Sequence, residues 1–163
     1  MDTTPDIPAI IRSFAPMDDL ECKTLFRHCT SRMPDNDTGY DIADIQSAYM
    51  KDPGNHFWVA LSPDGEIIGM IGVQQHDAGI GEIRRLRVIP ALRRRGIGSL
   101  LMEAALRFCQ ERNYLKVKLD TFMDEEAAVR LFEKFRFLHD RTRTLGDKQL
   151  MYFYRDLYSL DAR

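Results

Sequence analysis

At 163 residues the chain is sized for one domain, and a net charge of -2 argues against a surface built as a whole to hold nucleic acid. Its 44% hydrophobic and 29% charged residues are the balance of a globular protein, and no apolar run approaches the roughly 18 residues of a membrane span. Cys22, Cys29 and Cys109 form no CxxC pair, and the N-terminus has neither the positive flank nor the apolar core of a signal peptide, so the expectation is reduced thiols in a cytoplasmic protein.

Residues 1–8 hold two prolines and little to bury, and read as a loose lead-in to a single domain that runs to residue 163. AIIRSF (9–14) reads as a strand stopped by Pro16. From Met17 to Cys29, Leu20, Cys22, Leu25 and Phe26 recur at helical spacing behind Asp18 and Asp19, the sign order a helix dipole favours. MPDNDTG (33–39) is a loop by composition, and Tyr40–Met50, with Ile42, Ile45 and Tyr49 on one face, is a second helix closed by Pro53 and Gly54. Two apolar runs between 56 and 75 flank Pro63-Asp64-Gly65, which predicts an antiparallel hairpin. EIRRLRVIP (82–90) is a fourth strand whose alternation breaks between Leu86 and Ile89, predicting a bulge there.

Gly96–Arg112 is the longest helix, with Ile97, Leu100, Leu101, Ala104, Ala105 and Phe108 on its apolar face. LKVKLDTF (115–122) alternates as a strand, DEEAAVRLFEKF (124–135) repeats the helical pattern, and strands at about 136–143 and 148–156 flank Gly146-Asp147. No repeat or linker interrupts this order, which is that of a mixed sheet covered by helices.

The stretch VIPALRRRGIGSLL (88–101) sets three arginines and two glycines at a strand-to-helix junction. Glycine lets the backbone approach a ligand closely, the first helical N–H groups point outward unpaired, and the helix dipole and arginines favour an anion such as a pyrophosphate. A Walker loop is excluded, because Gly98 is followed by Ser99 and Leu100 with no lysine; a dinucleotide fingerprint fails because its third glycine would fall on Leu101. The bland alternative is a well-packed helix start with a solvated arginine face.

At Arg93-x-x-Gly96-x-Gly98 the chain resembles the GCN5-related N-acetyltransferase (GNAT) superfamily, whose acyl-CoA signature is Arg/Gln-x-x-Gly-x-Gly/Ala between the fourth strand and the long helix. The likeness extends through RVIPALRRRGIGSLLMEAALRFCQERNYLKVKLDTF to AAVRLFEKFRF, covering roughly 54–156. A looser likeness, through Thr121-Phe122-Met123 and the helix after it, points to a branch that acetylates cysteine conjugates and small amines; its best-known members are membrane-anchored. The resemblance implies an α/β (α+β) GNAT fold: one mixed, mostly antiparallel six- to seven-stranded sheet flanked by about four helices and splayed between strands four and five.

It also implies acetyl-CoA as co-substrate, without a metal. Arg93, Arg94, Arg95, Gly96, Ile97, Gly98 and Ser99 would cradle its pyrophosphate, and the pantetheine arm would lie beside Leu86, Arg87 and Val88 as a mock strand. An amine acceptor would complete a ternary complex; neither a nucleic acid nor a membrane is expected as partner, and the chain would be a monomer or homodimer. An alkylamine with a pKa of about 10.4 must lose a proton before attack. The resemblance places Glu82 as the base, against the alternative that Glu82 only pairs with neighbouring arginines, and the Leu86 or Val88 N–H as oxyanion donor.

The pattern is broken at three points: Phe132 stands where many relatives have the tyrosine that protonates the departing thiolate, Glu125 replaces an asparagine, and Arg136 replaces the glycine of the usual GF pair. Tyr152, Tyr154 and Cys109 remain as unranked substitutes, each with packing as the ordinary alternative. Phe132 itself would border the cofactor. These losses keep a second reading open, an acyl-CoA-binding module with impaired catalysis. The four histidines, His28, His56, His76 and His139, show no metal-binding spacing, and His76-Asp77 reads as loop. Asp35, Asp37, Asp41 and Asp44 read as a solvated face or as a lure for a cationic amine.

Overall fold

The structure, a computed structural model, describes residue 6 and residues 8–30 and 37–158; most of the lead-in, and Asp35, lie outside these. Strands β1 (Ile10–Ser13), β2 (His56–Leu61), β3 (Ile67–Asp77), β4 (Ile80–Val88), β5 (Lys116–Phe122), β6 (Leu138–Leu145) and β7 (Lys148–Asp156) form one sheet in the order β1-β2-β3-β4-β5-β7-β6. Short turns make the neighbours antiparallel: Gly65 takes φ +85 beside the Ser62–Glu66 closure, and Gly79 and Gly146 take φ +74 and +62. Among the described strands only β4 and β5 run parallel, because a long helix carries the chain from one to the other. His76 and Asp77 belong to β3, not to a loop, since the turn into β4 is as tight as Ala78-Gly79 permits.

Among the described residues five α-helices pack on the two faces: α1 (Asp19–Cys29), α2 (Tyr40–Ala43), α3 (Ile45–Tyr49), α4 (Ile97–Glu111) and α5 (Glu126–Lys134). The expected single helix over Tyr40–Met50 is two, because Asp44 leaves the helical region at φ -147 and its carboxylate accepts from the Ser47 N–H at 3.1 Å, starting α3 afresh. One core joins α1–α3 to the sheet through Cys22, Leu25, Ile42, Ile45, Tyr49, Phe57 and Met70. The other joins α4 and α5 to the opposite face through Ile71, Val73, Leu101, Ala105 and Phe153, among others, and takes in Trp58 and Cys109.

Packing at Gly72 is tight enough to test. A Cβ there would stand 2.6 Å from Tyr49 Cε1 and 2.8 Å from Phe57 Cδ2, both ring atoms held in the first core. Gly72→Ala is expected to cost about 1–3 kcal/mol by overpacking, read as a lower denaturant midpoint at unchanged slope.

The bulge expected in β4 exists, but earlier than the hydrophobic pattern placed it. Gly72 pairs Arg84 and Met70 pairs Arg87, so Ile71 faces both Arg85 and Leu86, and Arg85 takes φ +60. Side-chain alternation marked the break at Leu86–Ile89 because the kink turns Arg84, Arg85 and Arg87 toward the α1–α3 face while Leu86 and Val88 pack on the α4 core. Pairing between β4 and β5 ends at Glu82↔Lys118, and beyond it the two strands part. That parting opens the sheet into a cleft.

Candidate active site

The cleft encloses about 890 Å³ between the diverging ends of β4 and β5, the start of α4, α5 and the β6–β7 hairpin. At one end the chain turns through Arg94 at φ +63 and Gly96 at φ +82 into α4. Gly96 is favoured by its left-handed conformation. Among the described residues no side chain caps α4, and its first intrahelical bond runs from Leu100 N to Gly96 O, so the N–H groups of Ile97, Gly98 and Ser99 have no partner within the helix. Lys134 reaches over from α5 to donate to Ser99 Oγ at 2.9 Å, bringing an ammonium to the same place. Uncapped amides, a helix dipole and cations converge there, which fits a pyrophosphate.

Along β4, beyond the last pair with β5, backbone carbonyls turn into the gap. Leu86 O accepts from Arg87 Nη1 at 2.8 Å, and Val88 O is approached by Arg93 Nε at 3.4 Å. In an extended strand a residue's N–H projects to the same side as its C=O, so Leu86 and Val88 offer the gap an unfilled strand edge. Glu82 stands where the strands part. Its carboxylate lies 3.4 Å from His76 Nδ1, 3.6 Å from Arg84 Nε and 3.6 Å from Lys118 Nζ, so the pairing with arginine is present, and the group also lines the cleft.

Of the residues singled out from the sequence, Glu82, Leu86, Arg87, Val88, Arg93, Arg94, Gly96, Ile97, Gly98, Ser99 and Phe132 all line this cleft. Arg95 belongs to the turn but is not on the wall. Phe132 is buried beside Phe137 and Phe153 and presents a ring to the cleft. Among the substitutes for its missing hydroxyl, Tyr152 lines the cleft; Cys109 is in the core, where burial pushes its thiol up to about 12. Arg136 keeps φ +67, the conformation for which glycine is favoured, while Phe137 N closes the end of α5 onto Phe132 O.

Asp37 and Asp41 of the acidic segment are not a solvated face. Asp37 and Asp41 clamp the Arg85 guanidinium, with Nη1 and Nη2 at 2.8 and 2.7 Å from Asp37 and Nε and Nη2 at 2.9 and 2.6 Å from Asp41, and Tyr49 Oη donates to Asp41 at 2.5 Å. Burial works against ionisation of both carboxyls, but the Arg85 hydrogen bonds and charge outweigh it and hold them below the usual carboxylate range. Asp44 is spent capping α3.

A family model described as "Acetyltransferase (GNAT) family" matches residues 18–137. The chain belongs to the GNAT acetyltransferase family. An acetyltransferase of the GNAT family from Staphylococcus aureus Mu50 has the same fold, with a TM-score of 0.80 at 20% identity over 92% of this chain and 99% of that one. Ard1 from Thermoplasma volcanium superposes with a TM-score of 0.75 at 25% identity, over 93% of this chain and 99% of that one. N-acetylaspartate synthetase from Rattus norvegicus is 37% identical over 100 residues, which are 61% of this chain and 33% of that protein. N-acetyltransferase 8 from the same animal is 34% identical over 102 residues, 60% of this chain and 46% of that protein. The chain therefore spans between a third and a half of the length of these curated relatives. GNAT membership implies acetyl-CoA as co-substrate, consistent with the anion cradle at α4.

Several cleft residues carried no signal of function in the sequence. His76 reaches Glu82 only because the β3–β4 turn is two residues long and brings it beside the strand. Asp120 alternates with buried Leu119, a pattern that gave it a face but no neighbours. The crowding walls of the cleft, then the charge of Glu82, push its carboxyl above the usual range. No helix among the described residues is long and apolar enough to cross a membrane.

Proposed function

We propose that the chain is an acetyl-CoA-dependent N-acetyltransferase that passes the acetyl group directly to a primary amine. The observation that carries this is the coincidence, in one cleft, of the uncapped α4 amides with the open edge of β4 at Leu86 and Val88. In this reading the amides from Arg94 to Ser99, with Arg93, Arg94 and Lys134, hold the pyrophosphate, and the β4 edge takes the pantetheine amides in place of the missing strand. The amine nitrogen attacks the thioester carbonyl, a C–N bond forms as the C–S bond breaks, and CoA leaves as thiolate. The Leu86 or Val88 N–H receives the oxyanion.

Glu82 takes the proton from the amine, and half-exposed His76, 3.4 Å away, provides its exit to solvent. The thiolate leaves without the usual tyrosine: a thiol pKa of roughly 8.5 makes it a tolerable leaving group, and Tyr152 brings a phenol to the wall. Glu82→Gln is expected to lower kcat by about 10²-fold, with the KM for acetyl-CoA and its thermal stabilisation unchanged. The reading is tested by thiol release from acetyl-CoA across a panel of amines, amino acids and peptides. Stabilisation by acetyl-CoA with no thiol released from any of them would favour the second reading, a binding module, for which Phe132 and Glu125 speak. We place the enzyme in the cytoplasm, which expression with a fluorescent tag tests.

A further inference from the structure

We propose that the acceptor is an acidic amine, a small primary amine carrying carboxylate, held across the cleft by Arg87 from β4 and by Arg141 and Arg143 from β6. This rests on the N-acetyltransferase reading and adds the class of molecule to be acetylated.

The registers put these groups at matching heights on one face of the sheet. Asp120 on β5 pairs Tyr152 on β7, which pairs Arg141 on β6; one step further, Phe122 pairs Leu150, which pairs Arg143. Both arginines line the cleft although β6 is the edge strand. Arg141 does not extend outward from that edge: its guanidinium lies 4.4 Å over the Tyr152 ring, above β7. With strands about 4.8 Å apart, this leaves it roughly one strand from Asp120, a span that a compact molecule with an amine and a carboxylate a few bonds apart can bridge.

Arg87 faces the same space from β4. Its Nε donates to Thr30 Oγ1 at 2.9 Å and its Nη1 to Leu86 O, both neutral acceptors. Among the described residues no carboxylate lies within ion-pair distance of Arg87, Arg141 or Arg143. The other guanidiniums on this wall are served from within: Arg85 by Asp37 and Asp41, and Arg84 by Gln74 at 2.9 Å and by Glu82 at 3.6 Å. Arg87 is half-buried without a counter-charge, which favours an anionic ligand, and exposed Arg141 and Arg143 add positive charge across from it; charge-assisted pairing with carboxylate is the strong form of that contact. The same cations oppose a lysine side chain or a polyamine, because like charges brought together inside a cleft repel strongly. Glu82 and Asp120 are left to receive the ammonium end, so the amine faces the proposed base while its carboxylates face β6.

The test measures thiol release from acetyl-CoA by the full chain with L-aspartate, L-glutamate, their amides L-asparagine and L-glutamine, and putrescine, beside the thermal shift given by acetyl-CoA alone. The acids are expected to exceed their amides in kcat/KM by about 10- to 10²-fold, putrescine to be the poorest, and the KM for the acids to rise with salt. Arg141→Gln combined with Arg143→Gln, both on an exposed strand, is expected to remove most of the preference through the KM for the acids. The KM for acetyl-CoA should stay within about twofold. Amides or putrescine turned over as well as the acids, no turnover of any acid, or a double variant that loses acids and amides alike would overturn the proposal. If acetyl-CoA still raises the melting temperature in those cases, the cofactor reading survives; if it gives no shift, both fall.

Discussion

Gly98→Glu is expected to abolish the thermal stabilisation that acetyl-CoA gives the wild-type chain. The glycine lies in the first turn of α4, where a Cβ would already stand 3.3 Å from Leu131 Cδ2, so a longer side chain is forced away from α5 and into the cleft. A carboxylate there meets the pyrophosphate as a like charge and fills the space through which the Ile97, Gly98 and Ser99 amides would reach it. Ligand at a hundred times its Kd adds about 2.7 kcal/mol to wild-type stability, which for a chain of this size raises Tm by about 5–10 °C. The variant, checked by circular dichroism for an intact fold, should show no rise at the same concentration. A shift equal to that of the wild type would mean that acetyl-CoA binds elsewhere, and the proposed cradle would be wrong.

That this loop could be singled out before the fold was known has a local cause. Arg93, Gly96 and Gly98 act through backbone conformation and amide direction, which depend on residues a few positions apart, and the hairpin at Pro63-Asp64-Gly65 is legible for the same reason. The unseen features need partners distant in the chain. Arg85 meets Asp41 across 44 positions, so Asp37 and Asp41 looked like solvated surface when they are the counter-charge of a buried guanidinium. The direction of Arg141 depends on Tyr152 in the next strand, and no periodicity encodes a cation lying over a ring. At Asp44 the failure is of another kind: apolar spacing continued across the residue, but a side-chain carboxylate offered a better bond to Ser47 than the helix did.

The Arg85 clamp carries the second large effect. Arg85→Leu leaves Asp37 and Asp41 with only the more distant Arg84, 3.8 and 4.0 Å away, as counter-charge and without their guanidinium hydrogen bonds, and Asp41 is fully buried. Breaking such a pair by removing one partner costs about 3–5 kcal/mol, enough to lower Tm by roughly 10 °C. The sign with pH is fixed by the direction of the shifts. In the wild type both carboxyls titrate below their unfolded value of about 3.9, so their contribution is fully present above that pH and is lost as pH falls through the lower folded values. In the variant the Arg85 hydrogen bonds and charge are gone and Arg84 compensates burial only in part, so both carboxyls move up and protonation relieves the strain. The stability gap between the two proteins should therefore be widest near pH 7, narrow as pH falls toward 4, and close only below that, where the wild-type carboxyls protonate as well. Adding Asp41→Asn to Arg85→Leu should recover part of the loss, since the amide removes the orphaned charge while still accepting from Tyr49. The consequence reaches the cleft through the bulge: the clamped residue Arg85 is the one at φ +60, and Leu86 and Val88 follow directly on that kink. Acetyl-CoA should stabilise the double variant less than the wild type, measured by thermal shift at equal ligand, even though no residue of the cradle has changed.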